Sequence, residues 1–181
     1  TYGGPVSDPK VQQAIRKVID YAGVQMICGQ GTLTPYDIIQ VGFMGSKGER
    51  KADYTNVEEA KQLLAEAGYP NGEGFPTLQL SYYSDDNVKK IAEAIKEMLE
   101  TNLGITVEIS SADWGVFYED VQAGNYGVAA MGWSADYVNP MSFLPLLYTD
   151  DVTNNSFYSN PAYDALVDQA RTENDPAKFA E

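Results

Sequence analysis

The chain of 181 residues has no histidine, a single cysteine and few basic residues for its acidic content. Without histidine there is no serine–histidine–aspartate or cysteine–histidine catalysis, and no metal site that depends on an imidazole. Cys28, being alone, forms no intramolecular disulfide and no cysteine-rich zinc site. Twelve Lys and Arg against 26 Asp and Glu give a formal charge of −14. That field argues against nucleic acid and anionic membrane as partners. No apolar run reaches the ~20 residues of a membrane-spanning helix, and no signal sequence is visible. Internal repeats and low-complexity tracts are missing as well. What is present is globular in character: 44% hydrophobic and 12% aromatic residues exclude disorder for the bulk of the chain. The length allows one or two domains and a substantial core. The chain opens in a loop, TYGGPVSDP, and stops at Asp175–Glu181, which reads as a helix just begun. The expectation is that residues 1–181 are one ligand-binding lobe of a longer protein.

Periodicity supplies the element order. Asp8-Pro9 opens a helix whose face is Val11, Ala14, Ile15, Val18, Ile19 and Ala22, with Gly23 as the expected stop. From Val24 to Tyr54 the pattern dissolves into a glycine-rich, irregular stretch, of the kind that often covers a ligand or another domain. Gly45-Ser46-Lys47-Gly48 within it lacks the spacing and following helix of a phosphate loop. Asn56 caps the next helix with Glu59 as capping-box partner. A strand over 77–83 follows, then a long helix starting at Asp85 or Asp86 and ending at Gly104. Lys89/Glu93 and Lys96/Glu100 mark that helix's solvated face. A strand over 105–109, a helix capped by Asp113 and a strand from Val128 complete the run. Strand–helix–strand–helix–strand predicts an α/β lobe, mostly parallel sheet flanked by helices. Asn160-Pro161 opens a last helix with Tyr163, Leu166, Val167 and Ala170 facing inward.

The third strand leads into VAAMGWSADYVNPMSF, residues 128–143. A strand running to Trp133 and followed by a lone carboxylate, Asp136, between Trp133 and Tyr137 is a candidate ligand-facing edge, because ligands collect outside the carboxyl ends of strands in open α/β sheets. The alternative is that both aromatics are core and Asp136 caps a turn. Other constellations point to no chemistry. The adjacent carboxylates Asp85/Asp86, Glu119/Asp120 and Asp150/Asp151 sit on caps and helix faces, not across a cleft as acid/base catalysis requires. Asp150, Asp151, Asn154 and Asn155 match no calcium loop, and Asn154-Asn155-Ser156 is a glycosylation triplet on paper only. No catalytic residue, metal site or cofactor is therefore expected. The thirteen tyrosines suit adaptable ligand walls as well as ordinary packing.

Four segments in order carry a family resemblance: DPKVQQAI with Ile19-Asp20, residues 59–70 (EAKQLLAEAGYP), GWSADY with Asn139-Pro140, and YSNPAYD over 158–164. On them the chain resembles the extracellular solute-binding proteins of bacterial peptide ABC transporters, the oligopeptide- and dipeptide-binding class. The resemblance implies the second lobe of a two-lobed, periplasmic-binding-protein-like fold. The protein would be an extracytoplasmic, non-enzymatic component, periplasmic or lipid-anchored on the outer face of the membrane. It would capture peptides between its lobes and deliver them to the transporter's permease subunits. Carried over, Asp136 pairs with the peptide's α-ammonium, and Trp133, Ser134 and Ala135 form a backbone rail for the extended peptide. Trp114 is a pocket-wall aromatic, and Tyr137 joins the ligand-binding set. Arginines that hold the ligand's carboxylate in some members are replaced here by Val121 and Ala130. The family also binds non-peptide ligands such as sugars and metal complexes, which stand as the alternative, with a carboxylate-dependent hydrolase lobe behind them.

Overall fold

A computed structural model describes residues 3–50, 54–173 and 175–180. Thr1 and Tyr2 of the opening loop, 51–53 of the irregular stretch and Glu181 lie outside these residues. The chain divides into two compact units, one of Thr1–Thr32 with Ala52–Met131, the other of Leu33–Lys51 with Gly132–Glu181.

The first unit holds three parallel strands, β1 (Leu78–Tyr83), β2 (Val107–Ala112) and β3 (Val128–Ala130), in the order β2-β1-β3. The register pairs Leu80 with Ile109 on one side and Val128 on the other. Leu78, Leu80 and Tyr82 alternate with Gln79, Ser81 and Tyr83, so one face of β1 is buried and the other half-open. Helices α1 (Pro9–Val18), α3 (Val57–Glu66) and α4 (Asp86–Leu103) supply Val11, Ala14, Leu64, Ala92 and Leu99 to the core on the buried face. On the other face α5 (Trp114–Gln122) lays Phe117 and Val121 against Tyr83 and Ala129. The mixed α/β class and parallel sheet read from the sequence are those of the structure.

Several local expectations need correction. The first helix does not run to Gly23: it ends at Val18, Ile19 is extended, and a second helix, α2 (Tyr21–Cys28), begins behind an Asp20 cap. Asp20 accepts the Gly23 N–H at 3.0 Å, and its carboxylate oxygen would lie 2.6 Å from a Cβ on Gly23. The glycine therefore admits a cap instead of stopping a helix. Residues 24–28, read as irregular, are helical for the same reason, and Cys28 is the exposed last residue of α2. The second strand starts two residues late, at Val107. Glu59 does close on its cap residue, but onto the Asn56 side-chain amide at 3.2 Å, since the Asn56 N–H is taken by the Lys17 carbonyl.

The pair Lys96–Glu100 is more than a solvated couple. Lys96 donates to the Val107 carbonyl, and Glu100 accepts the Val107 N–H at 3.1 Å. Together they satisfy the outward backbone groups at the start of edge strand β2, which would otherwise template strand addition. These contacts hold the Glu100 carboxyl below the usual range, first through Lys96 and then through the Val107 N–H. The C-terminus of α4 is fixed by Gly104, left-handed at φ 69°, where a Cβ would meet the Asn71 carbonyl at 2.4 Å.

The second unit is irregular. Pro35 and Glu49 form a single antiparallel bridge, and short 3-10 turns cover Pro140–Ser142 and Leu144–Leu147. Helices α6 (Pro161–Thr172) and α7 (Pro176–Ala180) follow. Asn160 caps α6 through the Ala162 N–H as expected. Val167 is buried, but Leu166 is exposed, one position round the helix from the face assigned to it. Phe43 meets Phe143 edge-on at 5.4 Å.

Candidate functional site

The candidate residues fall in both units. Trp114 belongs to the first; Trp133, Ser134, Ala135, Asp136 and Tyr137 belong to the second.

In the first unit the sheet's carboxyl edge places Tyr83 at the end of β1 and Trp114 at the start of α5, directly after β2. Asp113 stands at the cap position of α5 without a side-chain bond to it. Trp114 is 51% exposed, stacked on Tyr118 at 5.5 Å and edge-on to Tyr83 at 5.4 Å. An indole held on two sides with an open third side is a rigid wall with little rotamer entropy left to lose. Val121 is buried on the α5 side of the sheet, whereas half-buried Ala130 packs on the opposite face, against the larger core. Neighbouring Asp120 lines a cavity of about 220 Å³ with Ser81, Ser110 and Asn125, and its carboxylate accepts the Asn125 amide at 3.3 Å.

Strand pairing has already stopped in the first unit, at Ala130, three residues before the expected end, and the second unit takes up the chain at Gly132. The main-chain N–H and C=O groups of residues 133–136 then bond to nothing among the described residues. Buried backbone groups are nearly always paired, so a run left open belongs where solvent or a ligand can reach it. Trp133 and Tyr137 are 39% and 55% exposed, which sets aside the reading of both as core aromatics. The carboxylate of Asp136 is exposed and accepts no hydrogen bond among the described residues. Nor does it cap a turn. The following 3-10 turn is capped by Asn139, whose Oδ1 accepts the Met141 N–H at 2.8 Å.

What shapes the loop is Ser142, a residue the sequence reading passed over. It is buried, its hydroxyl donates to the Tyr137 carbonyl at 2.9 Å, and its own carbonyl accepts the Trp133 indole N–H at 2.7 Å. The available signal was a lone hydroxyl inside the apolar run Met141–Leu147, since a buried polar group needs partners. Farther on, the Tyr163 hydroxyl donates to the Leu144 carbonyl at 2.8 Å, and burial, with Tyr158 and Asp164 nearby, pushes its phenol up to about 12. It stays neutral and braces the turn. Asp151 and Asn154 are engaged within their own turn, Asp151 by Thr153 and Asn154 by the Tyr148 and Tyr158 carbonyls. Among the described residues no group of three potential metal-ligating His, Cys, Asp or Glu side chains occurs, and no helix is long and apolar enough to cross a membrane.

Comparison with known proteins bears on the family and the fold. The Oligopeptide-binding protein OppA of Bacillus subtilis is 30% identical over 189 residues, covering 100% of this chain and 35% of that protein. The Periplasmic murein peptide-binding protein MppA of Escherichia coli is 33% identical over 181 residues, covering 96% of this chain and 33% of that one. In three dimensions, a periplasmic oligopeptide-binding protein of Borrelia burgdorferi superposes with a TM-score of 0.88 at 32% identity, over 98% of this chain and 36% of that one. The chain thus spans about a third of the length of these relatives. All three are named for binding a peptide. The sequence pattern of the bacterial extracellular solute-binding proteins, family 5 Middle, matches residues 1–155, and the chain belongs to that family.

Proposed function

We propose that this chain is one ligand-binding lobe of the extracytoplasmic substrate-binding component of an ABC importer. It captures peptides in a cleft between two lobes and delivers them to the membrane permease, without catalysis. One observation carries the reading: Asp136, an exposed carboxylate without a hydrogen-bond partner among the described residues, follows an open stretch of backbone at 133–135 and stands between two exposed aromatics. An extended peptide has the matching groups. Its α-ammonium pairs with the carboxylate, its main chain adds to the open backbone as a strand, and its side chains pack on Trp133 and Tyr137. The names of the relatives support the peptide class.

The test is retention by the full-length protein of a randomised library of three- to five-residue peptides, offered free and N-acetylated, with bound material identified by mass spectrometry. Free-amine peptides should be retained and their acetylated counterparts lost. Equal retention of both, or co-purification of a sugar or metal complex in place of peptide, would overturn the reading.

A further inference from the structure

We infer that Ser142 is the positioning residue of the ligand site, holding Asp136 in place from both sides. This rests on Asp136 being the amine anchor.

The geometry is specific. Asp136 has no side-chain bond of its own among the described residues, so its direction depends on the backbone that carries it. That backbone is open from 133 to 136, and an open loop left to itself would sample many directions. Two bonds remove this freedom, and both end on Ser142. The Trp133 indole N–H reaches the Ser142 carbonyl at 2.7 Å, three residues before the carboxylate. The Ser142 hydroxyl reaches the Tyr137 carbonyl at 2.9 Å, one residue after it. Ser142 is itself anchored, because it is only 6% exposed, its N–H donates to the Asn139 carbonyl at 2.9 Å, and Phe143 next to it is buried. A fixed point under the protein surface thus clamps the loop on either side of the exposed acid. A binding group held in its productive direction before the ligand arrives loses less freedom on binding, which is the general advantage of preorganisation.

Trp133 is turned toward Ser142 by its indole bond, and its own backbone is left unpaired and available to a ligand.

A double-mutant cycle on the full-length protein tests the inference. The probe is a peptide retained from the library described above, with its N-acetylated form as control. Ser142→Ala removes the hydroxyl and Trp133→Phe removes the indole N–H while keeping a ring. Each should weaken binding of the free-amine peptide about five- to twentyfold in the parent protein. In an Asp136→Asn background each hydroxyl or indole deletion should change affinity less than twofold, and the acetylated peptide should show no added loss from Ser142→Ala. If Ser142→Ala fails to fold, Trp133→Phe decides by the same cycle. Full additivity with Asp136→Asn, or no effect of either deletion in the parent, overturns the positioning role while leaving the anchor intact. If Asp136→Asn alone leaves affinity unchanged, the anchor reading falls instead, and the two failures are told apart within one set of titrations.

Discussion

Each of the two units of this chain is stabilised internally by different forces, and the difference shows in how much backbone each leaves open. In the first, Leu64, Leu80, Leu99, Leu103 and Val107 are almost wholly buried between a parallel sheet and its helices. Each such side chain contributes about 1.5–3 kcal/mol of transfer free energy. The ion pairs on its surface, such as Lys10–Glu66 at 2.9 Å, are half-exposed and screened by solvent, so they add little. Apolar burial decides its stability. Among the described residues of the second unit, few apolar side chains are buried, Phe143 and Val167 foremost. Its turns are tied by side-chain-to-backbone bonds from Ser142, Asn154 and Tyr163 and onto Asp164, which accepts the Thr149 N–H at 3.0 Å. Such bonds contribute about 0.5–1.5 kcal/mol net each. A unit built this way can leave four residues of backbone open at 133–136, where a sheet interior could not. The regular unit is built on apolar burial, and the irregular one leaves backbone and polar side chains exposed.

The contrast can be broken most severely at Leu80. Leu80→Ala empties the centre of the sheet and should lower the unfolding free energy by about 2–5 kcal/mol, measured by urea titration. A loss under 1 kcal/mol would mean that burial in the first unit does not carry its stability. A smaller, pH-dependent effect sharpens the account at the sheet's edge. Lys96 and the Val107 N–H depress the folded-state value of Glu100 below its unfolded value of about 4.3. Its contribution is therefore complete above the unfolded value and is lost as pH falls through the folded one. The parent's urea midpoint should fall more steeply below about pH 4.5 than that of Glu100→Gln, which keeps an acceptor for Val107 but no titrating carboxyl. Identical acid limbs in the two proteins would remove Glu100 from the edge of β2. The smallest effect belongs to Cys28, exposed at the end of α2. Cys28→Ser should shift stability by less than about 0.5 kcal/mol; a loss of 2 kcal/mol would place the sulfur in a core.

The same contrast governs what could be read in advance. Alternation in Leu78–Tyr83 and helical spacing in Asp86–Leu103 are direct images of burial, so these strands and helices and the parallel sheet follow from the residues alone, while the spatial strand order does not. Where a side-chain bond overrides periodicity, the reading goes astray. Asp20 splits one apolar stripe into two helices, and the apolar pattern through Val18, Ile19 and Ala22 carries no trace of the break. In the site, Trp133, Asp136 and Tyr137 stand out by chemistry and by family resemblance. That the carboxylate is free while Asn139 does the capping depends on a hydrogen-bond choice between two residues equally fit to cap. Ser142 stays hidden because its partners are the Trp133 indole and a carbonyl five residues back.

The central claim is that Asp136 is kept free for a ligand's positive charge, and calorimetry of one retained peptide against the full-length parent and Asp136→Asn tests it most directly. Losing one partner of a desolvated, charge-assisted pair costs about 2–5 kcal/mol. The account therefore predicts binding weaker by roughly thirty- to several-thousand-fold for the free-amine peptide, with the unfolding midpoint unchanged. Equal affinity of the two proteins, with about 1 kcal/mol of stability lost in the variant, would show a turn cap in place of an anchor and contradict it.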